Sequence, residues 1–212
     1  MAAEKVYSSR EEILNAATHA LGVIAALAGS LMIFNCRQVQ NNSLALAAGI
    51  FYLCTLVFMF GCSALYHLTK DDARKQTMRK LDHCAIYFLI AGSYAPVLYT
   101  ASRDLTGAVI FSILLLLAIC GSAGKFIAGH KFHKLEVALY ILMGWCCVFI
   151  ARKVIRELPP ASLYLLLGGG VAYTAGVAAY VSRKEFSHAV WHIFVSAGAA
   201  LQFFAITRAL DL

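Results

Sequence analysis

The stretch SHAVWHIF, which opens the last apolar run of the chain, contains two histidines one helical turn apart. His188 and His192 stand four residues apart, so in a helix both imidazoles project from the same face. Histidines at this spacing can bind one metal ion, as in helical HExxH zinc sites. A third protein ligand would complete the set typical of catalytic zinc, which leaves one position for water.

Other polar residues near the ends of apolar runs could complete such a site. His67 is the candidate third ligand, because it lies at the end of an earlier apolar run, and Ser63 shares its helical face. Asp82 begins the next run, where a carboxylate could orient a ligand or accept a proton from water. Zinc activates water near neutral pH and polarises a carbonyl oxygen, and hydrolysis of an amide or ester needs both effects.

The composition indicates that a membrane protein carries these residues. Of 212 residues, 61% are hydrophobic and 14% are charged, against roughly 45–50% and 25% in soluble domains. We predict an all-α bundle of seven transmembrane helices that forms a single domain over residues 1–212. This domain includes a short N-terminal segment of about residues 1–15. The predicted spans are Ala16–Asn35, Ser43–Leu68, Leu81–Thr100, Gly107–Ile127, Leu135–Ile150, Ala161–Val181 and His188–Ile206.

The distribution of lysine and arginine predicts how this bundle is oriented. If the N-terminus is cytoplasmic, twelve of the 18 basic residues lie on the cytoplasmic side and six on the other. Because cytoplasmic loops carry the excess of basic residues, we predict a cytoplasmic N-terminus and an outside C-terminus. We expect the location to be the cell membrane, the inner or plasma membrane.

In this orientation, polar residues of four spans fall at one depth, near the cytoplasmic face. They are Glu12, Asn15 and His19 around the start of the first span, Ser63 and His67 at the end of the second, Asp82 at the start of the third, and His188 and His192 at the start of the seventh. An ionisable residue at the end of a span costs little, so each alone is uninformative. Their common depth favours a metal site, and a structural hydrogen-bond network is the alternative.

The remaining histidines receive simpler interpretations. We expect His19 to hydrogen-bond with Glu12 or Asn15 and so fasten the first helix, although it could also line the site. His83, His130 and His133 are interpreted as ordinary interfacial or loop residues, because none is paired at a convincing depth.

Several other classes of protein fit less well. The net charge of +7 comes from short loops rather than one basic face, so we expect no nucleic-acid partner. A retinal protein needs a lysine buried in a span, which the seventh predicted span lacks. Haem between His67 and His192 would leave His188 without a role, and transporters place polar groups at mid-membrane rather than at one end.

Three motifs, in order, give the chain a specific resemblance. They are ExxNxxTHxxG from Glu12 to Gly22, SxxxH at Ser63 and His67 followed by LDHCAIYFLIAGSYAP, and HxxxH at His188 and His192. Together they cover nearly the whole chain and resemble the haemolysin III family, bacterial members of the progestin and adipoQ receptor group.

This resemblance implies a fold, a metal and a class of substrate. It implies a seven-helix bundle with a cytoplasmic N-terminus, and zinc on the residues that match the family's ligands, which are His67, His188 and His192. It also implies that the position of Asp82 reaches the metal through water. The wider superfamily includes alkaline ceramidases, so the resemblance points to hydrolysis of a lipid amide.

We therefore expect a zinc-dependent lipid amide hydrolase that takes its substrate from the membrane lipids, with Asp82 and Ser63 as the catalytic residues. The alternative is a non-enzymatic membrane sensor in which zinc joins helices. A membrane-lytic protein ranks third. The sequence identifies no protein partner.

The predicted orientation can be tested with reporter fusions. Alkaline phosphatase folds only outside the cytoplasm, so we expect it to be active when fused after Leu212 and inactive when fused in the loop after Thr69. Green fluorescent protein at the same two positions should give the reverse pattern. Phosphatase activity at the Thr69 fusion with none after Leu212 would contradict the predicted orientation.

Overall fold

The computed structural model describes residues 7–129, 131–182 and 184–212, and those residues form helices and no strands. The α-helices are α1 (Ser9–Phe34), α2 (Arg37–Asn41), α3 (Ser43–Leu68), α4 (Asp72–Ala101), α5 (Leu105–Ala128), α6 (His133–Gly144), α7 (Ala151–Glu157), α8 (Pro160–Val181) and α9 (Ser187–Leu210). Seven helical segments are long and apolar enough to cross a membrane, with α6 and α7 together making the fifth. The predicted all-α fold with seven spans is confirmed.

Two helices begin well before the apolar runs that predicted them. Helix α1 begins at Ser9, where the Ser8 side chain caps the Glu11 backbone N–H and the Glu11 carboxylate accepts from the Ser8 N–H. Helix α4 begins at Asp72 after an Asp71 cap, nine residues before the predicted Leu81. Hydropathy detects only the apolar part of a helix, whereas the caps determine where it starts.

The fifth span is interrupted. Helix α6 ends at Gly144, a 3₁₀ turn covers Cys146–Ile150, and α7 continues from there. The Tyr94 hydroxyl of α4 donates to the Gly144 carbonyl at 2.9 Å and accepts from the Cys147 N–H at 2.8 Å. Because lipid offers no hydrogen bonds, the break is stable only where the protein supplies these partners.

Helix α4 is the centre of the bundle. Of its most apolar stretch 72% is buried, whereas 17% is buried for the spans at α1, α5 and α8. It packs against α3, α5, α6, α7 and α9, and α1 packs against α3 and α9. The end of α3, the part of α4 around Asp82 and the start of α9 therefore meet inside the bundle rather than at its lipid-facing surface.

Close contact between α3 and α4 depends on Gly92. A Cβ at this position would overlap the side chain of Thr55 on α3, whereas a Cβ on Gly61 would meet no atom within 4 Å. We expect Gly92→Ala to lower the free energy of unfolding by about 1–3 kcal/mol, the typical result of overpacking a core.

The matched control is Gly61→Ala, which should be neutral or stabilising because alanine favours a helix over glycine. Unfolding of both variants in detergent, followed by circular dichroism, measures the difference. Equal stability of the two variants would contradict this account of the α3–α4 contact.

Candidate metal centre

Three buried imidazoles lie together at one end of the bundle. His67 comes from the last turn of α3, and His188 and His192 come from the first two turns of α9. The Nε2 atoms of His188 and His192 are 3.1 Å apart, and one ring nitrogen of each of the three residues lies within 4.8 Å of the others. Nitrogens that share a tetrahedral zinc ion at 2.0–2.1 Å lie about 3.3 Å apart. The arrangement therefore has the scale of a metal site.

Two acceptors on α1 determine which nitrogen of these rings carries the hydrogen. Nδ1 of His67 lies 2.6 Å from the Glu12 carboxylate, and Nδ1 of His192 lies 3.1 Å from the backbone oxygen of Asn15. Both acceptors need an N–H at Nδ1, which leaves the lone pair on Nε2. Nε2 of His67 is buried and has no hydrogen-bond partner among the described residues, so its lone pair is available to a ligand.

Glu12 also connects this site to α4. Its second carboxylate oxygen accepts from the Lys75 ammonium at 2.7 Å, so one side chain bridges α1, α3 and α4. A carboxylate that receives the outer N–H of a ligand histidine is common in metal sites, where it fixes the ring and raises its basicity. The sequence placed Glu12 at the right depth but assigned it no role, although the i, i+3 spacing of Glu12 and Asn15 could have indicated a shared face.

Asp82 and Ser63 line a small cavity beside the histidines. We call it the polar chamber, and its polar lining residues are His19, Ser63, Asp82, His83, Tyr180, His188 and His192. Its volume of about 20 Å³ is enough for a water molecule. Asp82 and Ser63 are both buried. Of the five residues predicted for the site, four line the chamber. The fifth, His67, belongs to the three-histidine cluster but does not line the chamber.

A larger apolar cavity adjoins the polar chamber. It has a volume of about 100 Å³ and lies between α4, α6, α8 and α9. The two cavities share the side chains of Met59, Ile86, Tyr180, Trp191 and Val195. An apolar group could therefore occupy one cavity while a polar group attached to it reaches the other.

Tyr7 covers the site from the N-terminal side. Its ring centroid lies 4.9 Å from that of His188 and 5.8 Å from that of His67. Burial and the nearby Glu12 carboxylate raise the pKa of the Tyr7 phenol well above its usual value, so the phenol stays neutral. The Glu11 carboxylate accepts from the Phe186 N–H at 2.9 Å, which ties this end of α1 to the start of α9.

The preferred expectation for His19 and the expectation for His83 are wrong. His19 was expected to hydrogen-bond with Glu12 or Asn15, but its ring stacks on His192 with centroids 3.7 Å apart, and its nitrogens bond neither residue. The alternative, that His19 lines the site, agrees with its place in the lining of the polar chamber. His83 was expected to be an ordinary interfacial residue, but it is buried, with Nε2 3.2 Å from the Tyr180 hydroxyl. Hydropathy predicts depth in the membrane but not rotation about the helix axis.

His133 lies with His83 and Glu136 in a second group whose possible ligand atoms fall within 4.8 Å of one another. There the buried Lys125 ammonium donates to the Glu136 carboxylate at 2.7 Å. Because a lysine already neutralises this carboxylate, we interpret the group as an ion pair with neighbouring imidazoles. His130 lies outside the described residues.

Comparisons with known proteins agree with the motifs. The family model described as "Haemolysin-III related" matches residues 7–203. "Hemolysin-3" of Bacillus cereus is 32% identical over 93% of this chain and 90% of its own length. "Hemolysin-3 homolog" of Bacillus subtilis is 29% identical over 95% of both chains. The human "Monocyte to macrophage differentiation factor" is 27% identical over 94% of this chain and 84% of its own length.

The match extends over most of the chain and contains every residue of the three-histidine cluster, the polar chamber and the α1 acceptors. Both the bacterial and the human relatives align across nearly all seven spans. The protein is a multi-pass membrane protein that belongs to the haemolysin III family of the progestin and adipoQ receptor group.

Proposed function

We propose that this protein is a zinc-dependent hydrolase of the cell membrane that cleaves a lipid amide and so contributes to membrane lipid homeostasis. The observation that carries the proposal is the convergence of three buried imidazoles, two of which line a polar chamber that also contains a carboxylate. Substrate would enter from the bilayer, with its apolar chain in the cavity of about 100 Å³ and its polar group in the chamber.

The donor set fits zinc. Three neutral imidazoles leave one coordination position for a water or a substrate, as in catalytic zinc sites. The acceptors at Glu12 and the Asn15 carbonyl favour the tautomers that such a site needs at His67 and His192. When bound, zinc would polarise the substrate carbonyl and lower the pKa of a water toward neutrality.

Two further side chains have roles in this proposal. Asp82 lines the chamber and would take the proton of the attacking water, then return it to the leaving amine. The Ser63 hydroxyl would donate to Asp82 or to the oxygen on which charge develops. An amide is preferred to an ester as substrate because of the family's resemblance to alkaline ceramidases.

A non-enzymatic sensor is the second candidate. The three histidines come from α3 and α9, and α1 supplies the acceptors, so a zinc ion could simply join these helices. The small volume of the chamber and the packing of the Tyr7 ring against His188 favour such a role. A membrane-lytic activity, which the names of the Bacillus relatives suggest, ranks third. A lytic toxin has to reach its target membrane in soluble form, and a chain with seven apolar spans is poorly suited to that.

The Asp82→Asn variant distinguishes the first two candidates. It keeps the shape of the side chain but cannot accept a proton, so a hydrolase should keep its zinc and lose turnover by about 10²–10⁴-fold. The measurements are metal content and release of fatty acid from N-hexanoyl-sphingosine by the purified protein. If the zinc-loaded wild type leaves this lipid and longer N-acyl lipids intact, the hydrolase proposal fails.

The Glu12→Gln variant tests the metal fit. Glutamine removes the charged acceptor of the His67 Nδ1–H, and we expect zinc to bind about 10–100-fold more weakly. The matched control is Glu157→Gln, which changes an exposed carboxylate that pairs with its neighbour Arg156. Competition with a chromogenic chelator measures both affinities, and equal affinities would show that Glu12 does not support a metal ligand.

A further inference from the structure

His19 is placed beside the site in an unusual way. Its ring is 2% exposed and lies parallel to the ring of His192, with centroids 3.7 Å apart and an angle of 10° between the planes. The imidazole also makes an edge-to-face contact with the Phe60 ring, with centroids 5.1 Å apart. Two aromatic contacts therefore determine the orientation of the imidazole.

The polar atoms of His19 lack a well-formed hydrogen bond to any described residue. Both ring nitrogens are buried, and neither has a partner of good geometry within residues 7–129, 131–182 and 184–212. A neutral imidazole carries one donor and one acceptor, and leaving either unsatisfied in a buried place is unfavourable. A phenylalanine would make the same aromatic contacts without this cost. A bound molecule that supplies the missing hydrogen bond would explain why a histidine stands here.

The ring lines the polar chamber, where such a partner could bind. Neither of the two groups of described residues whose possible ligand atoms fall within 4.8 Å of one another contains His19, so His19 stands beside the three-histidine cluster and not in it. The chamber has room for a water or for a small polar group, and its neighbouring cavity has room for apolar chain.

We propose that His19 is a further substrate-binding residue. One of its ring nitrogens forms a hydrogen bond with the polar group of the lipid amide, beside the metal site. This inference rests on the proposed lipid amide substrate, and it assigns the recognition of its polar group to α1. The stack on His192 holds the imidazole in place, and the bound lipid supplies the missing hydrogen bond.

The His19→Phe variant keeps the aromatic contacts and removes the nitrogens. We expect it to fold, to keep its zinc, and to unfold at the same temperature as the wild type or a higher one. We expect it to bind N-hexanoyl-sphingosine at least about tenfold more weakly, because the polar group of the lipid loses its buried partner. Binding is measured in an Asp82→Asn background, so that the lipid is not consumed, through the fluorescence of Trp191, which lines both cavities.

Tyr52→Phe is the matched control. The Tyr52 hydroxyl is also buried without a partner, in a ring that is 1% exposed, but Tyr52 is not among the described residues that line either cavity. Removing this hydroxyl should leave the affinity for the lipid unchanged. A control that weakens binding as much as His19→Phe would show that any lost buried polar atom has this effect, and it would overturn the inference.

A third variant separates hydrogen bonding from stacking. His19→Gln keeps a donor and an acceptor but loses the flat ring, so it should bind the lipid better than His19→Phe does. If His19 serves only to stack on His192, the order is reversed.

The inference is overturned if His19→Phe fails to fold, loses its zinc, or binds the lipid with unchanged affinity. Binding of the lipid without hydrolysis by the wild type would contradict the proposed hydrolase alone, and the comparison at His19 would still stand.

Discussion

The geometry of this site depends on two hydrogen bonds from rings on α3 and α9 to acceptors on α1. Nδ1 of His67 faces the Glu12 carboxylate and Nδ1 of His192 faces the Asn15 carbonyl. An imidazole has two nitrogens, and an acceptor at one of them determines which can bind a metal. Without these bonds the rings of His67 and His192 could rotate, and their Nε2 atoms would not be held in the three-histidine cluster.

The membrane makes these bonds more consequential. A buried polar group that lacks a hydrogen-bond partner in an apolar environment is costly. The polar residues of the spans therefore need hydrogen-bond partners inside the bundle. Helix α4 provides the interior position, since it packs against most of the other spans. Tyr94 serves the same requirement at the break after Gly144, where its hydroxyl replaces two missing helical hydrogen bonds.

Much of this arrangement could be predicted from the sequence. The lengths of the apolar runs predict seven spans, and the i, i+4 spacing of His188 and His192 predicts a shared face. The common depth of His67 and Asp82 followed from the order of spans. The stack of His19 on His192 could not be predicted, because depth does not fix rotation about a helix axis. The burial of His83 was missed for the same reason, and the early start of α4 depends on the cap at Asp71 rather than on hydropathy.

The most direct measurement is X-ray absorption at the zinc edge on the protein purified without chelators. We expect one zinc ion per chain with three imidazole nitrogens at about 2.0–2.1 Å and one oxygen ligand. In the His192→Ala variant this signal should be lost. Purified wild type without zinc, or zinc bound through cysteine sulfur, would contradict the account.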